Sequence, residues 1–109
     1  MSEFAYLFRG ATPSTSPQEM QNQLEKWMAW AKELTDKGHL KARGPRLERP
    51  MRMVTKGAIS DGPYTEAKDI VGGLMIVEAD DIEHAARLAQ GCPLIEVGGQ
   101  VEVRPVMKV

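Results

Sequence analysis

The 109-residue chain has one cysteine, Cys92, so no disulfide can form within it. Aromatic residues make up 6% of the sequence, which limits any stacking platform for single-stranded nucleic acid. The net charge is −1, so no broad basic field recruits a polyanion. Apolar runs are short, well under the ~20 residues of a membrane-spanning helix. Met1 to Arg9 has no basic leader and no long apolar core, which argues against a signal peptide. One free thiol and seven methionines fit a reducing cytoplasm. Metal-ligand spacing of His, Cys and Asp is missing, as are a phosphate-cradling glycine motif, a nucleophile elbow and a dinucleotide fingerprint. Neither a metal nor an organic cofactor is therefore expected.

What remains is ordinary for one globular domain: 42% hydrophobic and 27% charged residues. Glu3 to Arg9 reads as a central strand, with Phe4, Tyr6 and Phe8 on one face and Ala5 and Leu7 on the other. Ser16-Pro17-Gln18-Glu19 is a helix start, with Ser16 as N-cap and proline at the first helical position. Met20, Leu24, Trp27, Ala31 and Leu34 then form an apolar stripe, and Gly38 stops a helix over about residues 17–37. His39–Glu48 and Met51–Lys56 read as extended segments separated by Pro50, and Pro45 suggests a bulge or an edge. Gly57–Asp69 reads as a loop, and Ile70–Ala79 as a strongly apolar strand. Asp80 or Asp81 caps a second helix over about 81–90, ended by Gly91 and Pro93. Residues 100–107 alternate as a last strand.

The order β-α-β-β-β-α-β predicts an α+β ferredoxin-like sandwich with an antiparallel sheet. Helices cover only one face of such a sheet, yet the strands at 3–9 and 70–79 are apolar on both. The expected cover for the second face is another copy of the chain, packed sheet to sheet as a homodimer.

The loop holds the densest chemistry: Asp61-Gly62-Pro63-Tyr64-Thr65-Glu66-Ala67-Lys68, followed by Gly72-Gly73 in the next strand. With Gly91-Cys92-Pro93 and Val101-Glu102-Val103-Arg104-Pro105-Val106, these motifs resemble the YCII-related family, specifically its DGPF-domain branch, with Tyr64 in place of the family's phenylalanine. The resemblance implies a dimeric α/β barrel over residues 1–109. It also implies kinship with small dimeric-barrel enzymes in which a His–Asp pair has been suggested as catalytic, and a link of some members to extracytoplasmic-function sigma factors.

Candidate site residues follow. Asp61 is either a general acid or base, shielded by Pro63 and Tyr64, or the cap of its own turn. His39 is either its proton-transfer partner or a solvated residue after the helix-ending glycine. Arg104 offers a guanidinium to an anionic ligand or pairs with a carboxylate such as Glu66. Tyr64 is a binding or packing anchor. Trp30, on a helix face adjoining that of Trp27, lines a pocket mouth or an interface. Arg43, Arg46, Arg49, Arg52 and Lys56 read as a solvated basic edge. The leading function is binding of a small molecule with cofactor-independent acid–base chemistry through Asp61. The alternative is a non-catalytic regulatory or interaction protein. No nucleic-acid or membrane partner is expected.

Overall fold

The computed structural model describes residues 1–10, 16–48, 50–61 and 70–108. In chain order the elements are β1 (Ser2–Arg9), α1 (Pro17–Asp36), β2 (Leu40–Arg46), β3 (Met53–Thr55), β4 (Ala58–Ser60), β5 (Val71–Ala79), α2 (Ile82–Ala89), a 3-10 helix (Pro93–Val97) and β6 (Gln100–Pro105). Four strands form an antiparallel sheet in the order β2-β5-β1-β6, while β3 and β4 pair only with each other. β1 is central. It pairs with β5 from Ser2↔Ala79 to Phe8↔Gly73 and with β6 from Phe4↔Pro105 to Arg9↔Gln100. Each helix bridges a strand to its second neighbour, α1 from β1 to β2 and α2 from β5 to β6. This is the ferredoxin-like topology expected.

Alternation along the strands decides the core. Phe4, Tyr6 and Phe8 of β1 and Met75, Val77 and Ala79 of β5 point to one face, where Trp30 and Leu34 of α1, Ala85 and Ala89 of α2, and Cys92 bury them. Full burial of an aliphatic or aromatic side chain of this kind is worth roughly 1.5–3 kcal/mol. Tyr6 stacks on Trp30 with ring centroids 6.2 Å apart, and Phe8 meets Trp27 edge-on at 5.0 Å. The Tyr6 hydroxyl, fully buried, donates to the Ala85 carbonyl at 2.5 Å. That bond satisfies the one polar atom this ring takes into the core.

Local chemistry sets the helix ends. The Ser16 hydroxyl accepts from Glu19 N–H at 3.3 Å, with Pro17 at the first helical position. Asp81, not Asp80, caps α2, its carboxylate accepting from His84 N–H at 2.8 Å. Gly38 takes φ +78° just past α1, which a residue with a Cβ adopts only under strain. Of the expected α1 stripe, Ala31 and Leu34 are buried and Trp27 is half-buried, and Trp30 on the adjoining face is buried as well. Met20 and Leu24, expected to face the core, are instead 58% and 44% exposed; this part of α1 is tied to the 3-10 helix, Gln23 donating to the Pro93 carbonyl at 3.0 Å and Lys26 pairing with Glu96 at 2.8 Å. Ala58–Ser60, expected within a loop, is strand β4, turned back on β3 at Lys56-Gly57.

The second sheet face carries Ala5, Leu7, Leu74 and Ile76 along the middle, all only partly buried in one chain. Ion pairs flank them: Lys41 with Glu3 at 3.0 Å, and Arg9 with Glu102 at 2.9 Å.

Candidate functional site

Where β2 ends and β5 begins, the chain opens a cleft of about 370 Å³ lined by Arg46, Leu47, Glu48, Pro50, Met51, Ile70 and Val71. The irregularity of β2 makes it. The β2–β5 register slips between Arg43 and Arg46. A Cβ on Gly44 would run into the backbone carbonyl and side chain of Leu74, so this edge closes only with glycine there. Beyond the slip, Leu47 N–H donates to the Gly72 carbonyl at 2.9 Å and Gly10 N–H to the Ile70 carbonyl at 3.3 Å, which fixes both walls. Leu47, Pro50, Met51, Ile70 and Val71 make an apolar lining, and Arg46 and Glu48 bring one charge of each sign. Its volume falls at the low end of small-molecule sites, about 300 to 1,000 Å³, and it is open to solvent, with Arg46, Leu47, Glu48 and Pro50 exposed.

The motif segment 62–69 directly precedes Ile70 in the sequence. It lies outside the described residues, and with it Tyr64, Glu66 and Lys68. Asp61, at the other end of that segment, directly follows β4. Its side chain is 94% exposed and stands 3.6 Å from the Arg52 guanidinium. Arg52 also donates to the Met51 carbonyl at 2.7 Å, which ties the Asp61 pair to a residue lining the cleft.

His39 lies elsewhere. Its backbone carbonyl accepts from Glu78 N–H, and its ring Nδ1 sits 2.9 Å from the Glu78 carbonyl. A carbonyl only accepts, so Nδ1 carries a proton, and in the neutral tautomer Nε2 is the lone-pair nitrogen. The ring meets His84 edge-on with centroids 5.1 Å apart. His84 Nδ1 accepts from Asp80 N–H at 3.1 Å, so the neutral ring holds its proton on Nε2. This paired-histidine corner escapes the sequence, since the residues are 45 positions apart, one just before β2 and the other on α2, and share no motif. Seven residues of β5, roughly 23 Å at ~3.3 Å each, separate Glu78 from Val71. The structure therefore puts His39 and the cleft at opposite ends of one strand pair.

Arg104 pairs with Ala5 across β6 and β1 and so projects from the second sheet face. Its side chain is 68% exposed, with Glu102 at 3.9 Å. Glu102 is held more closely by Arg9. Trp30 is a core residue, 6% exposed, whose indole N–H donates to the Leu88 carbonyl at 3.3 Å. One edge of its ring walls a hollow of about 170 Å³ with Glu33, Lys37, Arg87 and Gly91. A Cβ on Gly91 would meet the indole at 3.1 Å, so glycine there lets the helix end close on the ring. Cys92 is buried, and removal from water pushes its thiol up to about 11. Among the described residues, no group of three His, Cys, Asp or Glu side chains is placed to hold a metal ion. No described helix is long and apolar enough to cross a membrane.

The family model of the YCII-related domain matches residues 4–109. The chain belongs to the YCII-related family. No curated protein matches it. Among solved structures it is similar to 5-chloro-2-hydroxyhydroquinone dehydrochlorinase from Burkholderia phenoliruptrix AC1100, in complex with 2,5-dihydroxybenzoquinone. The TM-score is 0.55 at 18% identity, over 98% of this chain and 95% of that one. A likeness at that identity speaks for the fold alone, and it agrees with the family assignment.

Proposed function

We propose that this YCII-related chain binds a small, partly apolar organic molecule in the cleft between the end of β2 and the start of β5. The observation that carries the reading is the cleft itself, about 370 Å³, lined by Leu47, Pro50, Met51, Ile70 and Val71 together with the charged Arg46 and Glu48. The guanidinium suits an enolate or carboxylate oxygen, and Glu48 accepts from a hydroxyl. A planar, oxygen-rich ring such as the 2,5-dihydroxybenzoquinone held by the structural neighbour has that chemistry. Asp61 and Tyr64, on or beside the motif segment, are the residues we assign to acid–base work and ligand anchoring. Arg104 serves an anionic group at the second sheet face. His39 and Trp30 enter as supports of their own corners rather than of the cleft. The protein works as a homodimer, its apolar sheet faces packed together in the cytoplasm, where a buried free thiol such as Cys92 persists.

The test is titration with 2,5-dihydroxybenzoquinone by calorimetry, beside mass spectrometry of any ligand carried through purification. Arg46→Ala should weaken binding roughly tenfold, about 1.4 kcal/mol. A protein that takes up neither the quinone nor any copurifying compound refutes the reading. A second reading, a non-catalytic regulatory or interaction protein such as a partner in sigma-factor signalling, draws on the exposure of Asp61. A carboxylate in open solvent lacks the shielding that tunes a general base.

A further inference from the structure

The chain's two histidines meet across the fold, and their ring nitrogens are committed in opposite ways. His39, just before β2, turns Nδ1 to the Glu78 carbonyl at 2.9 Å and donates to it. His84, in the first turn of α2, turns Nδ1 to the Asp80 N–H at 3.1 Å, so that nitrogen carries no proton. The Asp80 carboxylate lies 3.5 Å from the same nitrogen, and the His84 side chain is 23% exposed, so protons from solvent reach it.

One added proton therefore affects the two rings differently. On His39 it goes to Nε2 and leaves the bond to Glu78 intact. On His84 it goes to Nδ1, which then sets N–H against N–H. Turning the ring over gives no relief, because both nitrogens of an imidazolium are donors. The Asp80 amide loses its acceptor, and the Asp80 carboxylate stands ready to take the new N–H. Charges on the elements that meet here frame the exchange. Glu83 and Asp81, whose carboxylate accepts from His84 N–H, favour a cation in this turn, whereas the positive end of α2 and a charged His39 ring oppose one. At the end of α1, Asp36 and Lys37 are paired with Lys32 and Glu33. Lys41 of β2 is paired with Glu3 and Glu78, and Arg87 lies one turn further along α2.

We infer that His84 is a proton-operated latch at the joint between β5 and α2. Neutral, it holds the Asp80 backbone; protonated, it releases that backbone and takes the Asp80 carboxylate instead. Imidazole gains its second proton between about pH 8 and about pH 5. The backbone bond is present above that range and is lost as pH falls through it. His39 keeps its bond to Glu78 in both states and forms the fixed wall of the corner. The latch lies at the far end of the β2–β5 pair from the cleft and does not rest on ligand binding there.

Nuclear magnetic resonance on the nitrogen-labelled full chain, taken from about pH 8 to about pH 5, tests it. At the upper end the ring nitrogens should report the proton on Nε2 of His84 and on Nδ1 of His39. On acidification the Asp80 amide signal should shift with the same midpoint as the His84 ring signals. In His84→Gln that shift should vanish, because the side-chain oxygen still accepts from Asp80 but does not titrate. In His39→Gln the shift should persist. A neutral His84 with its proton on Nδ1 overturns the inference, as does an Asp80 amide that stays in place while His84 titrates. An Asp80 shift that survives His84→Gln, or is lost in His39→Gln, puts the responding proton elsewhere and overturns it too.

Discussion

Tyr6 gives the sharpest quantitative expectation. Burial, with a smaller contribution from nearby Cys92, pushes its phenol from 10.0 up to about 12. The unfolded chain then loses this proton at a lower pH than the folded one. Between those two values the native state binds more protons, so stability falls as pH rises. The contribution is intact below about pH 10 and is gone by about pH 12. At pH 11 the loss from Tyr6 is about 1.4 kcal/mol, rising toward about 2.7 kcal/mol above both values. Tyr6→Phe removes this dependence but also removes the hydrogen bond to the Ala85 carbonyl, worth about 1 kcal/mol at neutral pH. The two urea-unfolding series should therefore start about 1 kcal/mol apart at pH 8, with the variant weaker, and converge near pH 11. Circular dichroism at fixed ionic strength reads both. Exposed lysines titrate equally in the two proteins and cancel. Two curves that stay parallel from pH 8 to 11 would refute the account of a phenol held neutral by the core.

Cys92, raised by burial from 9.0 to about 11, adds its own loss of stability from about pH 9 upward; Cys92→Ala should flatten that part of the curve, and the native thiol should resist alkylation until unfolding. Leu34→Ala, at a site 2% exposed between helix and sheet, should cost about 2–5 kcal/mol in urea unfolding. Asp81→Ala should cost about 0.5–2 kcal/mol through loss of the α2 cap, while Asp81→Asn should retain most of it. Asp61→Asn should shift stability by less than about 0.5 kcal/mol, because the carboxylate is almost wholly in solvent; turnover unchanged in that variant would remove Asp61 from catalysis.

Much of this architecture is readable from residue order, because its signals are local. Ser16-Pro17 and the Asp81 cap are short-range hydrogen-bond chemistry, and the alternation of Phe4, Tyr6 and Phe8 names a strand face whatever surrounds it. The readings that differ depend on how far a neighbouring surface extends. A stripe at Met20 and Leu24 has the spacing of a core stripe, but spacing does not reveal which turns the fold covers, and here Gln23 and Lys26 reach the 3-10 helix instead. Lys56-Gly57 is a usable turn signal, since Gly57 takes φ +84°, yet it sits inside what reads as one polar loop. The cleft is less legible still. Its walls come from Arg46–Met51 and Ile70–Val71, stretches joined only by a slipped register, and no residue type among them announces a pocket. The meeting of His39 and His84 likewise depends on tertiary placement.

The central position of β1 has a consequence for synthesis. β1, which carries Phe4, Tyr6 and Phe8, leaves the ribosome well before both of its neighbours, β5 and β6. At ~5–20 residues per second, β5 follows β1 by roughly 3–12 s. Through that interval the aromatic strand has neither ladder partner, and α1 has no sheet to cover. The nascent chain thus offers an unpaired, sticky edge until β5 and β6 have emerged, and its sheet closes late, through contacts between segments distant in sequence. Truncation before β6 leaves one side of β1 permanently open, so shortened products should be held by chaperones or aggregate rather than fold in part.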